Sequence, residues 1–144
     1  NPVRRALSNG LQLAVIYTDE NGAAVNPASL PQGTRFKATL KVVNPSTTRD
    51  YANLALSMGI PSGWEIQNER LKGGAGEDGY DYKDIRDDRV NWFFALPKGR
   101  SKTFTVGLRA AYEGAYFLPS IVAEAMYDPT VNASTASGRA VVTQ

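Results

Sequence analysis

The sequence of 144 residues contains neither histidine nor cysteine. The missing histidine removes the usual general base, the Ser-His and Cys-His nucleophile pairs, and the commonest zinc ligand. The missing cysteine removes disulfides, thiolate nucleophiles and metal thiolates. A catalytic site would have to use carboxylate, lysine or tyrosine chemistry. These absences predict a protein that is not an enzyme and that holds no cofactor.

Long apolar runs and a strong charge imbalance are missing as well. No apolar run is long enough to cross a bilayer. The net charge is +2 with both signs interspersed, so we predict no nucleic-acid partner and no direct membrane contact. The length fits one domain. Because the chain starts at Asn1-Pro2 without a signal peptide, we expect it to be a domain of a longer protein.

The most informative stretch lies near the end of the chain. The stretch from Ala111 to Asp128 divides at Glu113-Gly114 and at Pro119, and it supplies two strands. The second of them, Ser120 to Tyr127, alternates. Asp128-Pro129 is predicted to end that strand, because proline cannot donate a ladder hydrogen bond. Met126 and Tyr127 would then lie at a strand end, beside a loop. Adjacent residues of a strand point to opposite faces, so an ordinary sandwich would bury one and expose the other.

Short alternating segments separated by Gly, Pro and Asn turns occupy most of the remaining sequence. The clearest of them are Leu11–Thr18, Thr34–Asn44, Leu54–Ile60, Trp64–Gln67, Val90–Leu96, Thr103–Ala111 and Gly138–Val142. The pattern predicts about seven to nine strands and an all-β, antiparallel β-sandwich of immunoglobulin- or fibronectin-like type. Without an inter-sheet disulfide, hydrophobic burial must hold the sheets together.

Three other regions carry specific expectations. Residues 1–9 are predicted to form a linker arm, and residues 10–144 a single domain. Asn68 to Asp88 is predicted to be a long irregular segment, which in a compact domain is usually functional or mobile. Tyr112, Tyr116 and Phe117 are predicted to belong to the sandwich core, since the basic groove needed for base stacking is missing.

The densest charged run extends from Glu77 to Arg89. As a calcium loop it would offer the carboxylates of Asp81, Asp84, Asp87 and Asp88. The spacing does not match an EF-hand, and basic residues in the run neutralise much of the charge: Lys83, Arg86 and Arg89. We therefore predict no metal site, and favour a salt-bridged turn whose apolar residues pack on the sandwich: Tyr80, Tyr82 and Ile85.

Several blocks together resemble the C-terminal macroglobulin-like domain, the tenth such domain, of bacterial alpha-2-macroglobulins. The matching blocks are Ala6–Gly10, Asp81–Val90, Ala95–Gly99, Leu108–Tyr112 with Gly114, Tyr116 and Leu118-Pro119, and Glu124–Asp128. They cover essentially the whole chain. The Asp-Ile-Arg-Asp-Asp-Arg-Val and Glu-Ala-Met-Tyr-Asp blocks are specific in combination.

The resemblance implies a non-catalytic part of a broad-spectrum protease inhibitor. That family looks like large periplasmic protease traps, usually lipid-anchored to the inner membrane, in which bait cleavage exposes a Cys-to-Gln thioester. This chain has no cysteine, so the thioester would belong to another domain of the parent protein. By resemblance, this domain shields the thioester with Met126 and Tyr127. Its partners would be that thioester domain and, for the whole protein, target proteases.

Two alternatives remain open. A receptor- or partner-recognition sandwich is one, because the related eukaryotic C-terminal domain binds a receptor. Cell-wall synthesis enzymes would be plausible partners in a bacterium, and an exposed, mutationally sensitive lysine or arginine patch away from Met126 would favour this interpretation. The other is an enzyme that uses a carboxylate between Glu77 and Asp88.

Overall fold

The computed structural model describes residues 7–67, 82–86 and 88–144, and every regular element in these ranges is a β-strand. The thirteen strands, numbered in chain order, are β1 (Leu7–Asn9), β2 (Gln12–Asp19), β3 (Leu30–Pro31), β4 (Arg35–Val43), β5 (Tyr51–Gly59), β6 (Trp64–Gln67), β7 (Tyr82–Arg86), β8 (Arg89–Leu96), β9 (Ser101–Ala110), β10 (Gly114–Leu118), β11 (Val122–Ala125), β12 (Asp128–Ser134) and β13 (Gly138–Thr143). Over the same ranges, no helix has the length and apolar character needed to cross a membrane.

The strands form three sheets. The six-stranded sheet has the order β1-β12-β11-β5-β8-β7, the four-stranded sheet β2-β4-β9-β6, and the three-stranded sheet β10-β13-β3. Their strand pairs are antiparallel except for β13 with β3. The predicted all-β, antiparallel sandwich is therefore confirmed.

Alternating side chains from the two larger sheets build one core. In β4, the predicted inward residues Phe36, Ala38, Leu40 and Val42 are all buried. This agrees with one face packed and one face solvated, as antiparallel sheets allow. The buried cluster also includes Leu30, Ala140 and Val142 of the three-stranded sheet, so all three sheets share one hydrophobic core.

Four strands lie outside the predicted set: β1, β3, β7 and β12. Leu7–Asn9, within the predicted arm, pairs with β12; residues 1–6 are outside the described part of the chain. Tyr82–Arg86 pairs with β8, so the prediction of irregular structure through Asp88 was wrong over these residues. The two apolar residues of Tyr-Lys-Asp-Ile-Arg, Tyr82 and Ile85, are three positions apart, so the segment lacks the alternation that predicts a strand. Residues 68–81 and 87 are outside the described ranges.

One end of the sandwich gathers the β4–β5 connection and the β8–β9 turn. The β8–β9 turn closes with a hydrogen bond from the Arg100 amide to the Pro97 carbonyl (3.1 Å), and Gly99 takes a positive φ of 70°. The sequence Pro-Lys-Gly-Arg predicts a hairpin turn here, but that prediction was wrong, because β8 and β9 belong to different sheets. The Asn44 amide donates to the Arg100 carbonyl at 2.9 Å, and the Gly99 amide donates to the Asn44 carbonyl at 3.0 Å. The two connections therefore support one another through their backbones.

Candidate functional site

Met126 and Tyr127 form the tip of a β-hairpin between β11 and β12. Ala125 pairs with Asp128, and the two residues between them make the turn. The prediction that the strand continues to Tyr127 and that Asp128-Pro129 ends the ladder was wrong. The register jumps from the Glu124–Asn132 pair to the Ala125–Asp128 pair, so Pro129 lies in a bulge. A bulge tolerates the missing N–H of proline.

Both tip side chains are exposed to solvent. Met126 is 52% exposed and Tyr127 is 82% exposed. By contrast, Ile121, which directly precedes β11, and Ala123, which lies within β11, are buried. The expectation for an ordinary strand, one residue inward and one outward, does not apply because the chain reverses at this pair. A thioether and an aromatic ring therefore project together from one end of the domain, where they can fill a pocket on another surface.

The backbone of the tip is fixed by the neighbouring strand. The Met126 amide donates a hydrogen bond to the Asn53 carbonyl at 2.9 Å, and Ala125 pairs with Leu54 of β5. An open recess of about 210 Å³ lies beside the tip, between residues 49–53 and Ala125, Tyr127 and Asp128. The tip is thus a projection from a hydrogen-bonded sheet, with a recess at its base.

Asp128 anchors the second leg of the turn. Its Oδ1 accepts hydrogen bonds from the Thr130 amide at 3.1 Å and from the Thr130 hydroxyl at 2.5 Å. Its Oδ2 accepts from Nη2 of Arg49 at 3.1 Å. These interactions favour the ionised carboxylate, so Thr130 first and then Arg49 lower the pKa of Asp128.

This lowered pKa gives a test by titration. A carboxyl whose pKa is lower in the folded state contributes stability above its unfolded pKa and loses it as the pH falls through the folded value. We expect the Thr130 amide NMR shift to titrate with a midpoint below the ordinary 3.8. Thr130→Ala should move the midpoint of Asp128 upward by removing the first cause. A midpoint at or above the ordinary value would contradict the observed network.

The predicted core aromatics near the start of β10 are only partly buried. Tyr112 is 57% exposed and Phe117 is 41% exposed, so their assignment to the core was wrong. Tyr116 packs inward, and its hydroxyl donates to the carbonyls of Tyr112 (3.1 Å) and Glu113 (3.0 Å). A β-carbon on Gly63 would lie only 2.1 Å from this ring, so only glycine fits beneath it.

The acidic run contributes no metal site that the described residues define. Asp84 forms an ion pair with Arg86 at 3.0 Å, as expected for a salt-bridged segment. Asp88 is exposed, and Asp81 and Asp87 fall outside the described ranges. Within those ranges, no three acidic side chains gather at distances suited to a metal ion.

Sequence patterns did not predict the contacts of Asp128 that fix the backbone of the tip. Arg49 and Asp128 are 79 residues apart in the chain, and only the fold brings them together. The Asp-Pro-Thr sequence after the tip was a usable signal, because aspartate commonly accepts a hydrogen bond from the amide two residues later. Here the Thr130 amide makes that bond.

A family model, a related sequence and two solved structures all indicate the same protein family. The family model described as the bacterial alpha-2-macroglobulin MG10 domain matches residues 10–130. An alpha-2-macroglobulin homolog of Yersinia pestis is 30% identical over 92% of the chain and 8% of its own length. A mutant Salmonella alpha-2-macroglobulin structure matches with a TM-score of 0.87 at 26% identity, covering 99% of this chain and 10% of that one. The native Escherichia coli protein has the same fold, with a TM-score of 0.86 at 21% identity and the same coverage. The chain therefore spans a tenth or less of the length of these proteins.

Proposed function

The chain belongs to the bacterial alpha-2-macroglobulin MG10 domain family, and we propose that its Met126–Tyr127 tip shields a thioester carried by another domain of the parent protein. In this proposal the domain is non-catalytic, and the parent is a broad-spectrum inhibitor that captures proteases after bait cleavage. We further propose that the parent works in the periplasm, anchored by lipid to the inner membrane.

The observation that carries this proposal is the joint exposure of Met126 and Tyr127 at a hairpin tip whose backbone is hydrogen-bonded to β5. A pair in the core would have no free surface with which to cover a neighbouring group. A thioester is a strong acyl electrophile, and water and small amines consume it on contact. An aromatic ring and a thioether laid over it would exclude both, and they offer little polar surface to hold water.

The proposed shield also has to open. Interfaces between domains of one chain are commonly modest in size and polar enough to separate. A projecting tip suits this requirement, because it covers a small target and withdraws as a rigid body when the domains move apart. Bait cleavage would supply that movement in the parent protein.

The test uses the full-length parent protein with no protease present. Tyr127→Gly, and separately Met126→Ala, are treated with methylamine, and the release of free thiol is followed. We expect Tyr127→Gly to accelerate release by about tenfold or more, equivalent to about 1.4 kcal/mol in the barrier, because the ring no longer excludes the amine. Met126→Ala should give a smaller acceleration in the same direction.

Tyr112→Gly is the matched control for this experiment. Tyr112 is also an exposed tyrosine, but it precedes β10 and is not part of the tip. Its replacement should leave the rate of thiol release unchanged. If Tyr127→Gly reacts no faster than the unchanged protein while the domain stays folded, the shielding proposal fails.

A second candidate function is a partner-recognition module, and the outer face of β4 favours it. Arg35, Lys37 and Lys41 are exposed on that face, while the alternate residues of the strand lie in the core. This basic stripe lies in the four-stranded sheet, whereas the tip extends the six-stranded sheet. Cell-wall synthesis enzymes are the proposed partner class. This function would take first place if Tyr127→Gly left the thiol-release rate unchanged.

A further inference from the structure

We propose that Arg49 is a positioning residue for the Met126–Tyr127 tip and that it acts through its ion pair with Asp128. This inference rests on the proposed function, since the tip is taken to be the part that covers the thioester. Tyr127 is 82% exposed, so the direction of its ring depends on the backbone that carries it. Asp128 follows Tyr127 directly, and whatever holds Asp128 also holds the base of the ring.

Asp128 connects two parts of the fold that are distant in sequence. Its Oδ1 bonds to Thr130 stay within β12 and shape the bulge that follows the tip. The contact between Arg49 Nη2 and Asp128 Oδ2, at 3.1 Å, instead reaches across to the β4–β5 connection. The Met126 amide bond to the Asn53 carbonyl, at 2.9 Å, fixes the other leg of the turn to β5. Contacts therefore fix the backbone on both sides of the turn.

Other contacts fix the position of Arg49 independently of Asp128. Its amide donates to Oγ of Ser46 at 2.9 Å, and its carbonyl accepts from Nδ2 of Asn44 at 2.9 Å. The guanidinium carbon lies 5.4 Å from the centroid of the Tyr51 ring, a distance suited to a cation–π contact. A planar guanidinium that is already oriented loses little freedom on pairing. This lowers the entropy that the exposed pair loses on forming.

The test compares Arg49→Gln and Asp128→Asn in the full-length parent protein, again by thiol release with methylamine and no protease. Asp128→Asn keeps an Oδ1 acceptor for Thr130 and replaces the charged oxygen that accepts from Arg49 by an uncharged NH2 group, which cannot accept. Each variant should react about two- to fivefold faster, the range expected for one exposed ion pair. The two changes combined should be no faster than either alone, because they remove the same interaction. Adding Arg49→Gln to Tyr127→Gly should have no further effect.

Arg109→Gln is the matched control. Arg109 Nη1 of β9 forms an ion pair with Glu65 Oε1 of β6 at 2.9 Å, and the side chains of this pair are exposed to a similar degree as those of Arg49 and Asp128. It should leave the rate unchanged. A second readout is ionic strength: salt should accelerate the unchanged protein toward the rate of Arg49→Gln and leave that variant almost unaffected. A purely structural role for Arg49 would not produce this convergence.

The two proposals fail separately. If Tyr127→Gly accelerates thiol release but Arg49→Gln and Asp128→Asn do not, the positioning role is overturned and the shielding function stands. If Tyr127→Gly itself has no effect, both are overturned. Acceleration by Arg49→Gln that persists in the Tyr127→Gly background would also overturn the positioning role, because Arg49 would then act by another route.

Discussion

Replacing Asn44 by aspartate should lower the free energy of unfolding by about 3–5 kcal/mol at neutral pH. Asn44 is fully buried, and its Nδ2 donates to the carbonyls of Arg49 (2.9 Å) and Leu96 (3.0 Å). Its Oδ1 accepts from the Ser46 amide at 3.0 Å. Asn44→Asp keeps that acceptor but turns a second, charged oxygen toward two carbonyl oxygens, which lose their donor.

The pH dependence of this loss is a more specific expectation than its size. Burial and the facing carbonyls should raise the pKa of the introduced carboxyl above its unfolded value. Its ionisation then opposes folding above the unfolded pKa, and the penalty shrinks as the pH falls. Protonation would also restore one donor. Urea unfolding of the chain at neutral and mildly acidic pH should show the smaller loss under the more acidic condition.

Asn26→Asp provides the matched control for this effect. Asn26 is exposed, and its Oδ1 accepts from the Ala28 amide at 3.0 Å, a bond that a carboxylate can also accept. This change should shift stability by no more than about 0.5 kcal/mol. Equal losses at the two sites, or a loss at Asn44 that does not depend on pH, would contradict the role assigned to the buried amide.

Asn44 also links the core to the proposed functional tip. Its amide group holds the Arg49 carbonyl, and the side chain of Arg49 contacts Asp128 beside Tyr127. The same residue ties the β4–β5 connection to the β8–β9 turn through its backbone. The tip is therefore supported from within the protein interior, which suits a projection that has to meet a partner in one orientation.

Local alternation was sufficient to predict most of the large sheets. In β4, every second side chain is apolar and the others are mainly charged or polar, so the inward face followed from the sequence alone. Sequence alternation was not sufficient to predict which residues of the small sheet are buried. Tyr112 and Phe117 lie near and within β10, which runs along the edge of a small sheet. Periodicity tells which residues share a face, and only the packing of sheets decides whether that face is covered.

The missed strand β12 shows how a valid local rule can be overridden. Asp128-Pro129 predicted the end of a ladder, and proline does remove a donor. The chain keeps pairing because a bulge absorbs Pro129, and because Val131 and Ala133 beyond it are buried. Burial of these residues repays the irregular register. The alternation from Val131 to Ala133 is visible in the sequence, but it spans only three residues.

The candidate site was only partly accessible from sequence. Met126 and Tyr127 came from the family resemblance, since strand periodicity treated them as ordinary residues. Their shared exposure depends on a reversal of the chain between Ala125 and Asp128. The contact of Arg49 with Asp128 depends on two connections meeting at one end of the sandwich. Contacts of this kind have no local sequence pattern, because they arise when the sheets assemble.

Trp92→Ala should be a strongly destabilising change in the core, with an expected loss of about 3–5 kcal/mol. Trp92 of β8 is fully buried and stacks on Phe104 of β9, with ring centroids 5.5 Å apart. Phe94 also contacts Phe104, at 4.9 Å. These rings join the six-stranded sheet to the four-stranded sheet. With no cysteine in the chain, contacts of this kind replace an inter-sheet disulfide.

A loss of this size is large compared with the total stability of a domain, which is about 5–15 kcal/mol. We therefore expect the melting temperature of Trp92→Ala, followed by far-UV circular dichroism, to fall by about 10 °C or more. Phe93→Ala is the control, because Phe93 is adjacent but half-buried on the opposite face of β8; its loss should be clearly smaller. Trp92→Phe should recover part of the stability by keeping a ring against Phe104. Equal losses for Trp92→Ala and Phe93→Ala would show that contact between the sheets does not depend on this stack.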